Sequence, residues 1–239
     1  TFLFAIRHAA RVLSRRWWPY TGQLPDRAAR FTCKYPRRIL LGGGAGLHFY
    51  QAGIITYMFE EYGHLLKDNV TIEGISAGGF NAGYLNAALR GVMSIPFMIN
   101  DFSMPIVFSA NASWWGPIWT ASANIYKTTT SFFTTYEDIK GETTTISDGT
   151  LIIWATDASN LFSTPLRDVL GDAAGFAQAS TASSFIPYIL SPNPKSPIRF
   201  ADRMRYFVDG GIGLFAGDDT VYNGFTEGGN RCRFLYMQS

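Results

Sequence analysis

Ser76 lies in Gly74-Ile75-Ser76-Ala77-Gly78, a G-x-S-x-G pentapeptide. A β-branched run (Asn69-Val70-Thr71-Ile72-Glu73) precedes it, and a helix-like run from Phe80 to Arg90 follows. Strand, sharp turn and helix make the setting of a nucleophile elbow, where a serine hydroxyl is held out of the sheet. Glycines at 74 and 78 lack a Cβ, so a tight backbone and an incoming substrate both fit. The following helix turns its positive end toward the serine and favours negative charge there. A glycine-rich turn with an incidental serine has the same letters, so the rest of the chain must decide.

A serine hydroxyl needs a base. All three histidines, His8, His48 and His64, precede Ser76. The order Ser, acid, His is therefore impossible. The order Asp, His, Ser would crowd Asp26, one of His48 and His64, and Ser76 into one short segment. A carboxylate acting without histidine remains. Two aspartates end apolar strands: Asp209 in Tyr206-Phe207-Val208-Asp209-Gly210-Gly211, and Asp157 in Leu151-Ile152-Ile153-Trp154-Ala155-Thr156-Asp157. The two glycines after Asp209 let it approach a second loop closely; Asp157 lacks them. Either could instead be an aspartate that only opens a turn.

The third element is Leu40-Leu41-Gly42-Gly43-Gly44-Ala45-Gly46. It is no P-loop, because Gly-Lys-Ser/Thr is missing. It is no dinucleotide loop, because Leu47 stands where the last glycine of G-x-G-x-x-G belongs. Backbone N–H groups of Gly42, Gly43 and Gly44 can form a nest for an oxyanion.

These three parts, in this order, resemble the patatin-like phospholipase family: a glycine-rich loop (Gly42-Gly43-Gly44), the elbow around Ser76, and a late D-G-G (Asp209-Gly210-Gly211). The strand ending Ala155-Thr156-Asp157 is similar to a family core strand. Ala179-Ser180-Thr181-Ala182-Ser183-Ser184-Phe185-Ile186-Pro187 resembles the family turn upstream of its catalytic aspartate. The resemblance spans roughly residues 38 to 236. It implies a Ser76–Asp209 dyad without metal or other cofactor, with the oxyanion held at Gly43 and Gly44. The reaction would be hydrolysis of acyl esters of glycerolipids, phospholipid or galactolipid, through an acyl-enzyme. Where the family carries a basic residue after the glycines, this chain has Ala45-Gly46-Leu47, with His48 the nearest substitute.

The elements that must position these residues alternate. Strands are expected at 38–42, 70–75, 150–157, 205–208 and near 232–237. Helices are expected at about 48–66, 77–90 and 165–181, with a hairpin turn at Asp148-Gly149. Alternation of this kind predicts an α/β domain with a mostly parallel, twisted sheet and helices on both faces, which in the family is a three-layer arrangement. All three motifs then fall at carboxyl ends of strands, where such sheets bind ligands. The apolar stretch 91–119 reads either as a lipid-facing lid or as core.

Charged residues make up only 16% of the 239, against an average near a quarter, so part of the surface is expected to be covered by lipid or a partner. Residues 1–37 form a basic aromatic arm distinct from the acyl hydrolase domain at 38–239. Nine of the 20 Lys and Arg fall in the first 40 residues, against the single acid Asp26. Arg7, Arg11, Arg15 and Arg16 mix with Phe2, Phe4, Ile6 and Leu13 at helical spacing, and Trp17-Trp18 follow. Such arms lie in membrane interfaces or dock on subunits of membrane complexes. An Arg-rich, acid-poor start is also similar to an organelle transit sequence, mitochondrial or plastid, and a chain opening on Thr1 is expected to have lost an earlier segment. No run is long and apolar enough to span a bilayer. Two cysteines, Cys33 and Cys232, make no disulfide framework and favour a reducing or organellar interior. The expected location is membrane-associated inside an organelle, with a peripheral cytoplasmic placement as the alternative. No nucleic-acid motif accompanies the basic arm. The competing functional reading is a structural or regulatory subunit of a membrane complex that kept this fold with little or no catalysis.

Overall fold

Apolar runs bounded by glycine or aspartate become the strands of one sheet. The structure, a computed structural model, describes residues 37–44, 48–67, 70–103, 126–127, 129–131, 150–167, 170, 172–189, 205–218, 220–221 and 235–237. The expected arm up to residue 36, the apolar stretch from 104 to 119, the Asp148-Gly149 turn and both cysteines lie outside these residues.

In chain order the elements are β1 (Arg37–Leu41), α1 (His48–Leu66), β2 (Val70–Ile75), α2 (Ala77–Leu89) and the short α3 (Ile95–Met98), which runs into a π-helical turn at Ile99–Ser103. Then come β3 (Leu151–Asp157), β4 (Ser163–Leu166), α4 (Ala173–Ser183), β5 (Phe207–Val208), α5 (Gly210–Phe215) and β6 (Leu235–Met237). The chain is α/β, with an open mixed sheet in the order β4-β3-β2-β1-β6. β6, β1, β2 and β3 are mutually parallel. β4 and β5 each run antiparallel to β3.

The expected helix at 165–181 is corrected. Ser163–Leu166 is a strand, and the helix begins only at Ala173, after Asp172 caps it by accepting the Gly175 N–H at 2.6 Å. Pro165 cannot donate to a ladder, and β4 tolerates it because that strand is the sheet's edge.

Alternate residues of each strand point to opposite faces. Ile39 and Leu41, Val70 and Ile72, and Leu151, Ile153 and Ala155 pack with residues of α1, α2 and α4. Leu40, Ile75, Ile152 and Trp154 face the other way and meet Leu214 of α5 and Val221. β3 is buried along its whole length. Helix α2 is buried from Gly78 through Leu89, as a helix with no polar face must be. Its small residues let neighbours close in: a Cβ on Gly83 would stand 2.2 Å from the Phe176 ring. At the described start of the apolar stretch, Met93, Ile95, Met98 and Ile99 are buried in the larger cluster. That portion is core. No helix among the described residues is long and apolar enough to cross a membrane.

Candidate functional site

The sheet brings the ends of β2 and β5 together. β2 occupies one edge of β3 over Ile152–Trp154 and Leu151, ending with Ile75 opposite Trp154. β4 fills the other edge, pairing as far as Thr156. The β5 ladder, Val208 opposite Thr156 and Phe207 opposite Asp157, must therefore lie on the β2 side. β2 runs up that edge and β5 runs down it, and they stop head to head on either side of Ala155. The residue that follows β2 is Ser76, and the residue that follows β5 is Asp209. Asp209 thus enters the site from the carboxyl end of an antiparallel strand, in a sheet that the sequence suggested to be mostly parallel.

Ser76 adopts φ 55°, ψ −127°. A left-handed backbone costs a non-glycine residue about 1–2 kcal/mol, so the surrounding structure must impose it. The glycines show how. A Cβ on Gly74 would lie 2.4 Å from the Gly78 carbonyl oxygen, and one on Gly78 would lie 2.1 Å from that of Leu41. The first turn of α2 is thus pressed onto the end of β1, and Ser76 takes up the bend.

Asp209 is buried, 6% exposed. Its Oδ1 accepts the Gly211 N–H at 2.8 Å and caps α5. A Cβ on Gly210 would meet the Trp154 carbonyl at 2.3 Å and the Ile75 side chain at 3.0 Å. The first glycine after the aspartate is what allows this close approach to the elbow strand. Burial pushes the Asp209 carboxyl above the usual carboxylate range; the Ser76 hydroxyl and the Gly211 N–H pull it back. The hydroxyl is therefore near enough to favour the ionised form. Yet Oδ2 completes no hydrogen bond of normal geometry among the described residues. Long or misaligned contacts between catalytic groups are common before substrate binds.

Asp157 has other partners. Its Oδ1 accepts from the N–H and hydroxyl of Ser159 at 2.9 and 2.6 Å, and its Oδ2 lies 3.4 Å from the Arg205 guanidinium. It organises the turn between β3 and β4.

The glycine loop faces the serine: a Cβ on Gly43 would stand 3.0 Å from Ser76 Cβ and 3.6 Å from its Oγ. Gly42 is buried and its carbonyl accepts from Gln51 Nε2 at 3.1 Å. Gly44, half-buried, continues the loop. Asn81 Nδ2 donates to Gln51 Oε1 at 2.8 Å and to the His48 carbonyl at 3.0 Å. Two polar side chains on apolar helices thus clamp the loop. Their polarity amid apolar neighbours is the signal the sequence carries, and neither residue belongs to a motif.

His48 supplies no positive charge beside the glycine loop. Part of the residue reaches the surface, but its ring packs against Phe49, Phe80 and Tyr84 and its Nδ1 is sealed from water. Burial lowers its pKa to about 4, with a hydrogen bond to the Ala77 backbone opposing. It is neutral at pH 7. On the opposite face, buried Glu73 is paired with Arg38, whose Nε and Nη2 both donate to it, the latter at 2.8 Å. Trp154 Nε1 donates to the same carboxylate at 2.7 Å.

No protein-family model, curated protein or solved structure matches the chain.

Proposed function

We propose that the chain is a serine acyl hydrolase of the patatin-like type, with Ser76 as nucleophile and Asp209 as base. One observation carries this reading: β2 and β5 end head to head against β3, bringing a strained serine and a buried carboxylate to the same point of the sheet. Asp209 takes the Ser76 proton as Oγ attacks the ester carbonyl carbon. The carbonyl oxygen becomes an oxyanion beside Gly43 and Gly44, at the positive end of α2. The ester C–O bond then breaks, and the proton passes from Asp209 to the leaving alkoxide. Water, deprotonated by the same carboxylate, attacks the acyl-serine carbonyl; the C–O bond to Ser76 breaks, Asp209 returns the proton to Ser76 Oγ, and the acid leaves. No metal or other cofactor enters.

The substrate class follows the resemblance: glycerolipid esters, met at a membrane surface inside an organelle. The finer fold belongs to the same proposal, a three-layer patatin-like arrangement around a mostly parallel sheet. Fluorophosphonate labelling tests the chemistry. Wild type is expected to label at Ser76, and Ser76→Ala and Asp209→Asn are expected to lose label and roughly four orders of magnitude in ester turnover. A folded wild type that takes no label would falsify the proposal.

A second reading has its own support. Asp209 Oδ2 lacks a normal hydrogen bond, its carboxyl is held toward the neutral form, and His48 supplies no charge beside the loop. These features suit a subunit of a membrane complex that retains the fold without turnover. Stable co-purification with such a complex, together with ester hydrolysis no faster than Ser76→Ala, would favour it.

A further inference from the structure

Both members of the Ser76–Asp209 pair are gripped by one short stretch of chain, the C-terminal end of α4. Ser183, the last residue of that helix, is fully buried. Its Oγ accepts the Ser76 backbone N–H at 2.7 Å and donates to the Trp154 carbonyl at 2.6 Å. Two residues later, the Phe185 carbonyl accepts the Asp209 N–H at 2.7 Å. The Trp154 carbonyl is also the atom against which Gly210 is packed.

We propose that Ser183 is a positioning residue: its hydroxyl ties the elbow amide to α4, and through Phe185 fixes the separation of Ser76 from Asp209. Only a small group that both donates and accepts meets the two demands in a sealed space. Ser76 has a backbone it would not adopt unaided: the packed glycines impose the bend, and the Ser183 hydroxyl anchors the N–H of the peptide that enters it. The neighbouring Ser184 provides a natural contrast. Its Oγ donates back to the carbonyls of Ser180 and Thr181 within the helix and is hydrogen-bonded to neither member of the pair.

The kinetic half of this inference rests on the serine-hydrolase reading, and the structural half does not. The test compares the full chain with Ser183→Ala and Ser184→Ala by two readouts. In hydrogen exchange followed by NMR, the Ser76 amide should exchange roughly tenfold faster in Ser183→Ala. The Ile72 amide should be unchanged, and Ser184→Ala should match wild type at Ser76. In fluorophosphonate labelling, Ser183→Ala should react about 10- to 100-fold more slowly, as expected for a slight misplacement of the nucleophile. Ser183→Thr, which keeps the hydroxyl, should recover part of that rate. If Ser183→Ala does not fold, Ser183→Cys, close in size but a weaker acceptor, carries the same comparison. A wild type that never labels, with Ser76 exchange still accelerated in Ser183→Ala, removes the hydrolase reading and leaves the tether standing. Unchanged Ser76 exchange overturns the tether, and in a wild type that labels, an equal labelling rate in Ser183→Ala overturns its positioning role.

Discussion

A serine with φ 55° and a carboxylate shut away from water are both held against their own preferences, and each makes a stability prediction that runs opposite to activity. Ser76→Gly removes the backbone penalty, so it should be more stable than Ser76→Ala by about 1 kcal/mol, seen as a higher urea midpoint. Both should be inactive. For Asp209 the raised pKa fixes the sign. The folded state holds the proton more tightly than the unfolded chain, so this group weakens the fold as pH rises from 3.8 through its folded pKa. Asp209→Asn should therefore abolish turnover while raising Tm at pH 7. That gain should shrink toward zero in acid, where the wild-type carboxyl is already neutral. A lower Tm for the asparagine variant at pH 7 would contradict the burial argument. On the proposed mechanism, with Asp209 as base, the same shift is expected to put the acid limb of the pH–rate profile above the ordinary range for aspartate.

Among the elements, glycines decide how closely helix and strand approach. A methyl group on Gly78 would press into backbone oxygens of Leu41 and Gly42, at 2.1 and 2.5 Å, which cannot step aside. On the adjacent Gly79 it would meet Ile153 Cγ2 at 3.4 Å, an ordinary contact. Gly78→Ala is expected to cost about 3 kcal/mol or more and to lose labelling. Gly79→Ala should be neutral or gain up to ~1 kcal/mol from helix propensity; denaturant titration of the pair checks both. This scale also shows what the sequence could and could not disclose. β1, α1, β2, α2 and β3 stand where periodicity and glycine punctuation put them, because each is a long segment with its own pattern. β4 escaped, since four residues carry no readable period and Pro165 argues against a strand until its edge position is known. β5 was legible as an apolar run, but its direction was not, because nothing local tells a two-residue strand which way its ladder runs. The dyad residues stand out by their motifs. Gln51 and Asn81 do not, and Ser183 shows only as one letter of the 179–187 turn, because their importance comes from partners 9, 30 and 107 positions away.

At the scale of the whole molecule, Glu73 and His48 each make a stability prediction. Glu73 is paired with Arg38 and Trp154 and ties β1, β2 and β3 together on one face. Glu73→Gln should destabilise by about 2–3 kcal/mol, less than a fully buried pair because Arg38 reaches solvent, and replacing both Arg38 and Glu73 by apolar residues should recover much of the loss. A double-mutant cycle by thermal melts measures this. His48 acts through pH. The folded ring stays neutral down to about pH 4, whereas the unfolded ring protonates below 6.5. The unfolded state gains the proton first, so stability should fall as pH drops from about 6.5 to about 4 and then level off. His48→Phe should flatten that limb of a urea-midpoint profile, and a limb unchanged in slope would show that the ring titrates normally. The meeting of β2 and β5 beside Ala155 has a consequence in time. A chain emerging in order can complete β1, β2 and β3 and carry an exposed nucleophile while the segment bearing Asp209 is still missing. On the function proposed above, Ser76 then has no base until the segment bearing Asp209 has been made, so the pair forms only after the strand that carries its nucleophile.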